Sequence, residues 1–208
     1  MRLAFFASGG GSNIGAILDA IDAGRLGAEP VLVVTDRPGI GSIDRARARG
    51  IPVAVLPPSD IGSEAAFAHA LLEVLRAHRA EAVALAGYLK KVPEAVVRAF
   101  EGRMLNVHPS LLPAFGGPGM YGRRVHEAVL AHGCRVSGVT VHLVDAGYDT
   151  GPIVAQACVP VEPGDTPATL AARVLAAEHR IYPQALALLA SGRLRLDDRR
   201  VVIESEAG

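Results

Sequence analysis

An α/β fold is predicted, with a mostly parallel central sheet flanked by helices and an antiparallel C-terminal extension. Two patterns predict it. Short apolar runs at residues 2–7 (RLAFFA), 30–35 (PVLVVT) and 82–86 (AVALA) alternate with segments whose apolar side chains recur at helical spacing. That alternation is the mark of parallel βαβ units with right-handed crossovers. After Gly87 the rhythm changes, and residues 137–144 (SGVTVHLV) and 153–160 (IVAQACVP) alternate polar and apolar across an intervening loop, as antiparallel partners do.

The elements follow in order. The run at 2–7 ends in Ser8 and three glycines, a buried first strand closed by a turn. Ser12 or Asn13 can cap a helix to about residue 23, since Ile14, Ile17, Leu18 and Ile21 fall on one face. Strand 30–35, a helix around 42–49, strand 52–56, a strongly periodic helix at 63–78 and strand 82–86 come next. Helix 92–100, strand 104–108, a Gly/Pro-rich loop at 109–121 and helix 123–131 precede the antiparallel pair. Thr166 as N-cap with Pro167 at the first helical position opens a long helix to about residue 190. A short hairpin at 194–196 and 201–203 and a frayed tail complete the chain. With no internal repeat or low-complexity linker, one domain in two halves, divided near residue 100, is the economical reading.

At 208 residues, half of them apolar, the chain can bury a proper core. Lys plus Arg equals Asp plus Glu at 21 each, so no global charge points to nucleic acid or a membrane surface, and an anionic ligand must be met by a local site. Cys134 and Cys158 lack metal-like spacing and read as reduced thiols. The N-terminal apolar run is too short for a signal sequence, and no spanning segment follows it, which points to a cytoplasmic protein.

Three stretches carry chemistry. Gly9-Gly10-Gly11-Ser12-Asn13 joins the first strand to the first helix; its glycines let backbone N–H groups approach a ligand, and the helix N-terminus favours an anion. The alternative is a tight turn that binds nothing. A dinucleotide fingerprint would need Gly or Ala where Ile14 stands, so a single phosphate is favoured, although Asp36 after the second strand keeps a nicotinamide cofactor in view.

Asn106 and His108 are two residues apart at the end of an apolar strand, so both leave the same face, and Pro109 stops the pairing. An imidazole that moves a proton wants a carboxylate to hold its tautomer. The stretch Val144-Asp145-Ala146-Gly147-Tyr148-Asp149-Thr150-Gly151-Pro152 offers two, of which Asp149 is the better partner and Asp145 suits a turn. The remaining histidines read as packing or surface residues; His142 and His126 are candidates to line a cleft, without a role.

Taken together, SGGGSN, NVHPSLLP, the Asp-Thr-Gly-Pro loop and EHRIYP resemble the phosphoribosylglycinamide formyltransferases, the folate-dependent glycinamide ribonucleotide transformylase family, from about residue 3 to 195. The resemblance implies a Rossmann-like formyltransferase fold. It implies that Gly11, Ser12 and Asn13 hold the ribonucleotide phosphate, that Asn106, His108 and Asp149 are catalytic, and that Glu178 contacts the ribonucleotide. On this reading the N-terminal half, about 1–100, binds the phosphate, and the half from about 101 to 208 carries catalysis and the folate. Tyr88, Leu89, Lys90, Lys91 and Val92 match a folate-binding turn that works largely through backbone groups, with Asn106 and Asp145 as further folate contacts. The implied co-substrate is 10-formyltetrahydrofolate, with no metal, and the partners are small molecules, with a monomer or homodimer.

Lys90, Lys91 and Glu64 depart from the family pattern, which bears on the folate tail; at Lys90 a point charge replaces a planar fork. The stretch Gly116-Gly117-Pro118-Gly119-Met120-Tyr121-Gly122 is a loop variant found in part of the family. The rivals are a methionyl-tRNA formyltransferase, a formyltetrahydrofolate hydrolase and a non-catalytic nucleotide-binding module. The first would bring an extra C-terminal domain and a basic surface, the second an N-terminal regulatory domain. The third would have no need for Asn106, His108 and Asp149 to converge.

Overall fold

The computed structural model describes residues 1–205. It is α/β: seven strands form a mostly parallel central sheet flanked by helices, and two more form a separate antiparallel pair. The chain divides into two compact units, Met1–Leu105 and the residues from Asn106 onward.

In the first unit, β1 (Arg2–Ala7) is buried from Leu3 to Ala7, as an apolar run without alternation requires. It pairs in parallel with β2 (Glu29–Thr35) on one side and β4 (Ala82–Leu85) on the other, and β2 carries β3 (Val53–Val55) at its outer edge. The order β3-β2-β1-β4 puts the reversal of winding between β1 and β4. Open parallel sheets bind ligands at the carboxyl ends of such strands. The crossovers are α1 (Ser12–Asp22), α2 (Gly41–Ala48) and α3 (Glu64–Ala77); α4 (Glu94–Ala99) follows β4.

One element start differs from expectation. Neither Ser12 nor Asn13 caps α1; both lie inside it, and the N-cap is Gly11 in the left-handed conformation, φ 70°, with no side-chain cap bond. The turn requires glycine twice over, for its positive φ and because a Cβ there would lie 2.9 Å from the Ser42 backbone. Ser63 does cap α3, its hydroxyl accepting from the Ala66 N–H.

The second unit opens on the end of β5 (Met104–His108) and contains α5 (Arg123–Ala131), β6 (Val136–Leu143), β7 (Ile153–Pro160) and α6 (Pro167–Ala190). β6 and β7 are antiparallel, as their alternation predicts. The polar face of β6 does not meet water, however: Thr140 and His142 are as buried as Val139 and Val141. α6 begins as anticipated, with Thr166 and Thr169 forming a reciprocal capping box and Pro167 in the first turn. β8 (Leu194–Asp197) and β9 (Arg200–Ile203) form the C-terminal hairpin. The end of the tail expected to fray, residues 206–208, lies outside the described residues.

Candidate active site

The convergence inferred for Asn106, His108 and Asp149 is present, and a fourth residue completes it. Strand β5 sends Asn106 and His108 from one face, as their spacing requires. The loop between β6 and β7 returns Asp149 to them: its Oδ2 is 3.5 Å from His108 Nδ1 and its Oδ1 is 3.5 Å from Asn106 Nδ2. Asp149 adopts φ 55°, a left-handed conformation that costs a non-glycine residue strain and that Asp and Asn tolerate best. Its Oδ2 also accepts the Gly117 N–H at 2.9 Å, tying the Gly-rich loop to the site. Gly116 permits that approach, since a Cβ on it would lie 2.5 Å from the Leu112 side chain and 3.3 Å from Asp149 Cβ.

The fourth residue is His142. Its Nδ1 lies 2.8 Å from the Leu143 carbonyl and must carry the proton to bond there. Nε2 is therefore the acceptor, and it takes a hydrogen bond from Asn106 Nδ2 at 3.1 Å. Both N–H bonds of the Asn106 amide are thus directed, one firmly at His142 and one weakly at Asp149. Sequence reasoning placed His142 at a cleft without a role. The available signal was its position two residues from Thr140 on one face of β6, a face that alternation alone assigns to solvent.

His108 is buried, and its Nε2 lies 2.8 Å from the Phe115 carbonyl, which fixes the proton on that nitrogen. Burial pushes the ring below the ordinary imidazole value; the Asp149 carboxylate and the Phe115 carbonyl oppose the shift, and His142 adds to it. The unliganded ring is therefore held towards its neutral form, with a lone pair at Nδ1. Burial works against the Asp149 anion, but the His142 and His108 rings, whenever they carry charge, and the Gly117 amide outweigh it and hold the carboxyl below its usual range. The imidazole of His126 on α5 is buried close enough to feel His108, and burial lowers it too.

The other carboxylates separate by role. Asp145 accepts the Gly147 N–H at 3.0 Å and the Thr150 hydroxyl at 2.6 Å, closing the loop that carries Asp149, as a turn residue does. Glu178 on α6 is buried, so it is not the solvated helix residue that its sequence position alone would suggest, and its charge reaches Tyr182 one turn on.

In the first unit, Gly9-Gly10-Gly11 follows β1 directly. The Arg45 Nε donates to the Gly10 carbonyl at 2.9 Å, and the Ser42 N–H to that of Gly9 at 3.1 Å. These bonds hold the turn's carbonyls in place. Asp36 is not available to a ribose. Its side chain has no exposed surface and meets Arg37 through both oxygens at 3.2 and 2.8 Å. Burial opposes its charge, but Arg37 and the Ser8 hydroxyl hold the carboxyl below its usual range. The same Ser8 oxygen accepts the Leu89 N–H at 2.9 Å, so one backbone donor of the anticipated folate turn is already used. Tyr88 and Val92 are buried, Tyr88 edge-on to Phe6, whereas Leu89, Lys90 and Lys91 are exposed.

An amide, an imidazole and a carboxylate gathered at a strand end are groups suited to acyl transfer. The chain belongs to the formyl transferase family, whose model matches residues 1–186. Its relatives include proteins named phosphoribosylglycinamide formyltransferase. The Bacillus subtilis enzyme of that name is 40% identical over 185 residues, covering 89% of this chain and 92% of the relative. The chloroplastic Arabidopsis thaliana enzyme is 46% identical over 199 residues, and this chain spans 67% of its length. The crystal structure of glycinamide ribonucleotide transformylase 1 from Symbiobacterium toebii superposes with a TM-score of 0.93 at 44% identity, covering 99% of this chain and 94% of that one.

Proposed function

We propose that this enzyme transfers the formyl group of 10-formyltetrahydrofolate to the amine of glycinamide ribonucleotide, giving formylglycinamide ribonucleotide in purine synthesis. The convergence of Asn106, His108 and Asp149, read with relatives named for this activity, is the observation that carries the proposal.

The attacking amine forms a bond to the formyl carbon, giving a tetrahedral species with an oxyanion and a surplus proton. The carbon–N10 bond then breaks, and the proton must move from the amine to the folate nitrogen. His108 Nδ1, which bears the lone pair, is the atom suited to take that proton and return it; Asp149 favours the charged ring during the exchange. A positioned acid/base of this kind contributes about 10²–10⁴ in rate. Asn106 donates to the oxyanion, and the N–H able to turn to it is the one 3.5 Å from Asp149, because the other is engaged by His142.

Gly11, Ser12 and Asn13 are assigned the 5-phosphate of the ribonucleotide, supported by their place at the N-terminus of α1 next to the exposed Gly9 and Gly10. Glu178 is assigned a contact to the same substrate, and Tyr88 to Val92 with Asp145 the folate. The single-domain organisation, with a phosphate half and a catalytic half, and the cytoplasmic placement belong to this same proposal. A non-catalytic nucleotide-binding module would account for the glycine turn but not for the convergence on Asp149.

The test is folate release from 10-formyltetrahydrofolate, followed spectrophotometrically with and without glycinamide ribonucleotide. Release only with the ribonucleotide is the expected result. Release without it would indicate a hydrolase, and no turnover by folded protein would overturn both.

A further inference from the structure

We propose that Thr140, assisted by Gln156 across the strand pair, is a positioning residue that fixes the His108 ring by clamping the backbone between them. Thr140 is fully buried at the centre of β6, and its hydroxyl has three partners. It donates to the Ser110 carbonyl at 2.7 Å and accepts the Leu112 N–H at 3.0 Å and the Gln156 amide at 2.9 Å. Gln156 faces Thr140 in the antiparallel register, and its Nε2 also donates to the Leu112 carbonyl at 3.0 Å. Two side chains from neighbouring strands thus hold a carbonyl, an N–H and a second carbonyl of the stretch that leaves His108.

The grip is passed forward. Held at both ends by Thr140, residues 110–112 lead into a turn that the Ser110 hydroxyl closes onto the Ala114 carbonyl at 2.6 Å. The next residue, Phe115, has φ 55° and delivers its carbonyl to His108 Nε2 at 2.8 Å. Without that acceptor the ring could carry its proton on either nitrogen, and a proton on Nδ1 would block the atom that must receive one. The clamp therefore acts on the tautomer rather than on substrate contacts. Displacing a catalytic group by about 1 Å can cost 10²-fold in rate, so a clamp at two removes from the chemistry can be visible in turnover.

The kinetic part rests on the acyl-transfer reading; the tautomer part does not. Long-range ¹H–¹⁵N spectra of histidine-labelled protein, with the His108 signals assigned through His108→Asn, report which nitrogen bears the proton. We expect a single Nε2–H form in the native protein and in Thr140→Ser. Thr140→Val should give a mixed or Nδ1–H form, with kcat reduced about ten- to a hundredfold and KM for the ribonucleotide within about twofold. Gln156→Leu should move both readouts in the same direction by less. Thr140→Val that unfolds cooperatively at the native temperature yet keeps the Nε2–H signature and native kcat overturns the proposal. If Thr140→Val does not fold, unchanged signature and kcat in Gln156→Leu overturn it. Loss of the signature in Thr140→Val, in a protein whose native form has no transferase turnover, would sink the functional reading and leave the clamp standing.

Discussion

The amide nitrogen of Asn106 and Nε2 of His142, 3.1 Å apart, determine each other's orientation. The Leu143 carbonyl fixes the His142 proton on Nδ1, so only the NH₂ of Asn106 can face the ring, and its carbonyl oxygen must point elsewhere. The residue proposed to stabilise an oxyanion is thus aligned by a histidine that itself need not touch the substrate.

His142→Gln should retain more activity than His142→Ala, because a glutamine carbonyl can still accept from Asn106. Asn106→Ala removes the donor itself and should cost about 10²–10³ in kcat. Comparing kcat across these three variants checks the order, and a His142→Ala enzyme as active as the native one would contradict it.

Asp149→Asn should lower kcat by at least about 10², while ribonucleotide affinity, measured by calorimetry, changes little. An equal loss of binding and turnover would place Asp149 among the substrate contacts instead.

Folding stability should fall as pH is lowered from 7 towards 5. Burial holds His108 and His126 below 6.5 in the folded chain, so the unfolded chain binds more protons as pH falls through that value. The stabilisation is complete above the unfolded value and is lost as pH drops through the folded ones. Asp149, also held low, acts in the same direction, but only below its ordinary value of 3.8. Denaturant titrations across this range should show a shallower decline in His126→Asn than in the native protein; an identical slope would contradict the assignment.

Gly11→Ala should weaken ribonucleotide binding without impairing the proposed catalytic trio. The added methyl would meet the Ser42 backbone at 2.9 Å in a left-handed residue, a strain of roughly 1–3 kcal/mol that the turn can relieve only by moving. A raised KM for the ribonucleotide with native kcat at saturation is the expected result.

Much of this was legible in the sequence, for reasons that differ by element. The bounds of β1, β5, α5, β7 and α6 lie where apolar runs, Pro109, the Thr166-Pro167 cap and alternation put them. Asn106 and His108 were legible because a strand's period is two. The start of α1 was misread because Ser12 and Asn13 have the chemistry of caps, while the turn's backbone and the approach of Ser42 gave the position to Gly11. His142 had no legible role because its polar face is buried by residues remote in sequence. Asp36 kept a nicotinamide cofactor in view, and the contacts from Arg37 and Ser8 that occupy its carboxylate are not visible in the sequence pattern.

The left-handed backbone at position 149 also limits what evolution can sample there. Aspartate, asparagine and glycine are the residues that such a φ admits at little cost, and both alternatives are one nucleotide from either aspartate codon. A saturation library at this codon should therefore yield its most stable protein from residues of that kind, among which aspartate is the one acid. Mutational drift would then produce well-folded, inactive protein far more readily than an enzyme with altered chemistry.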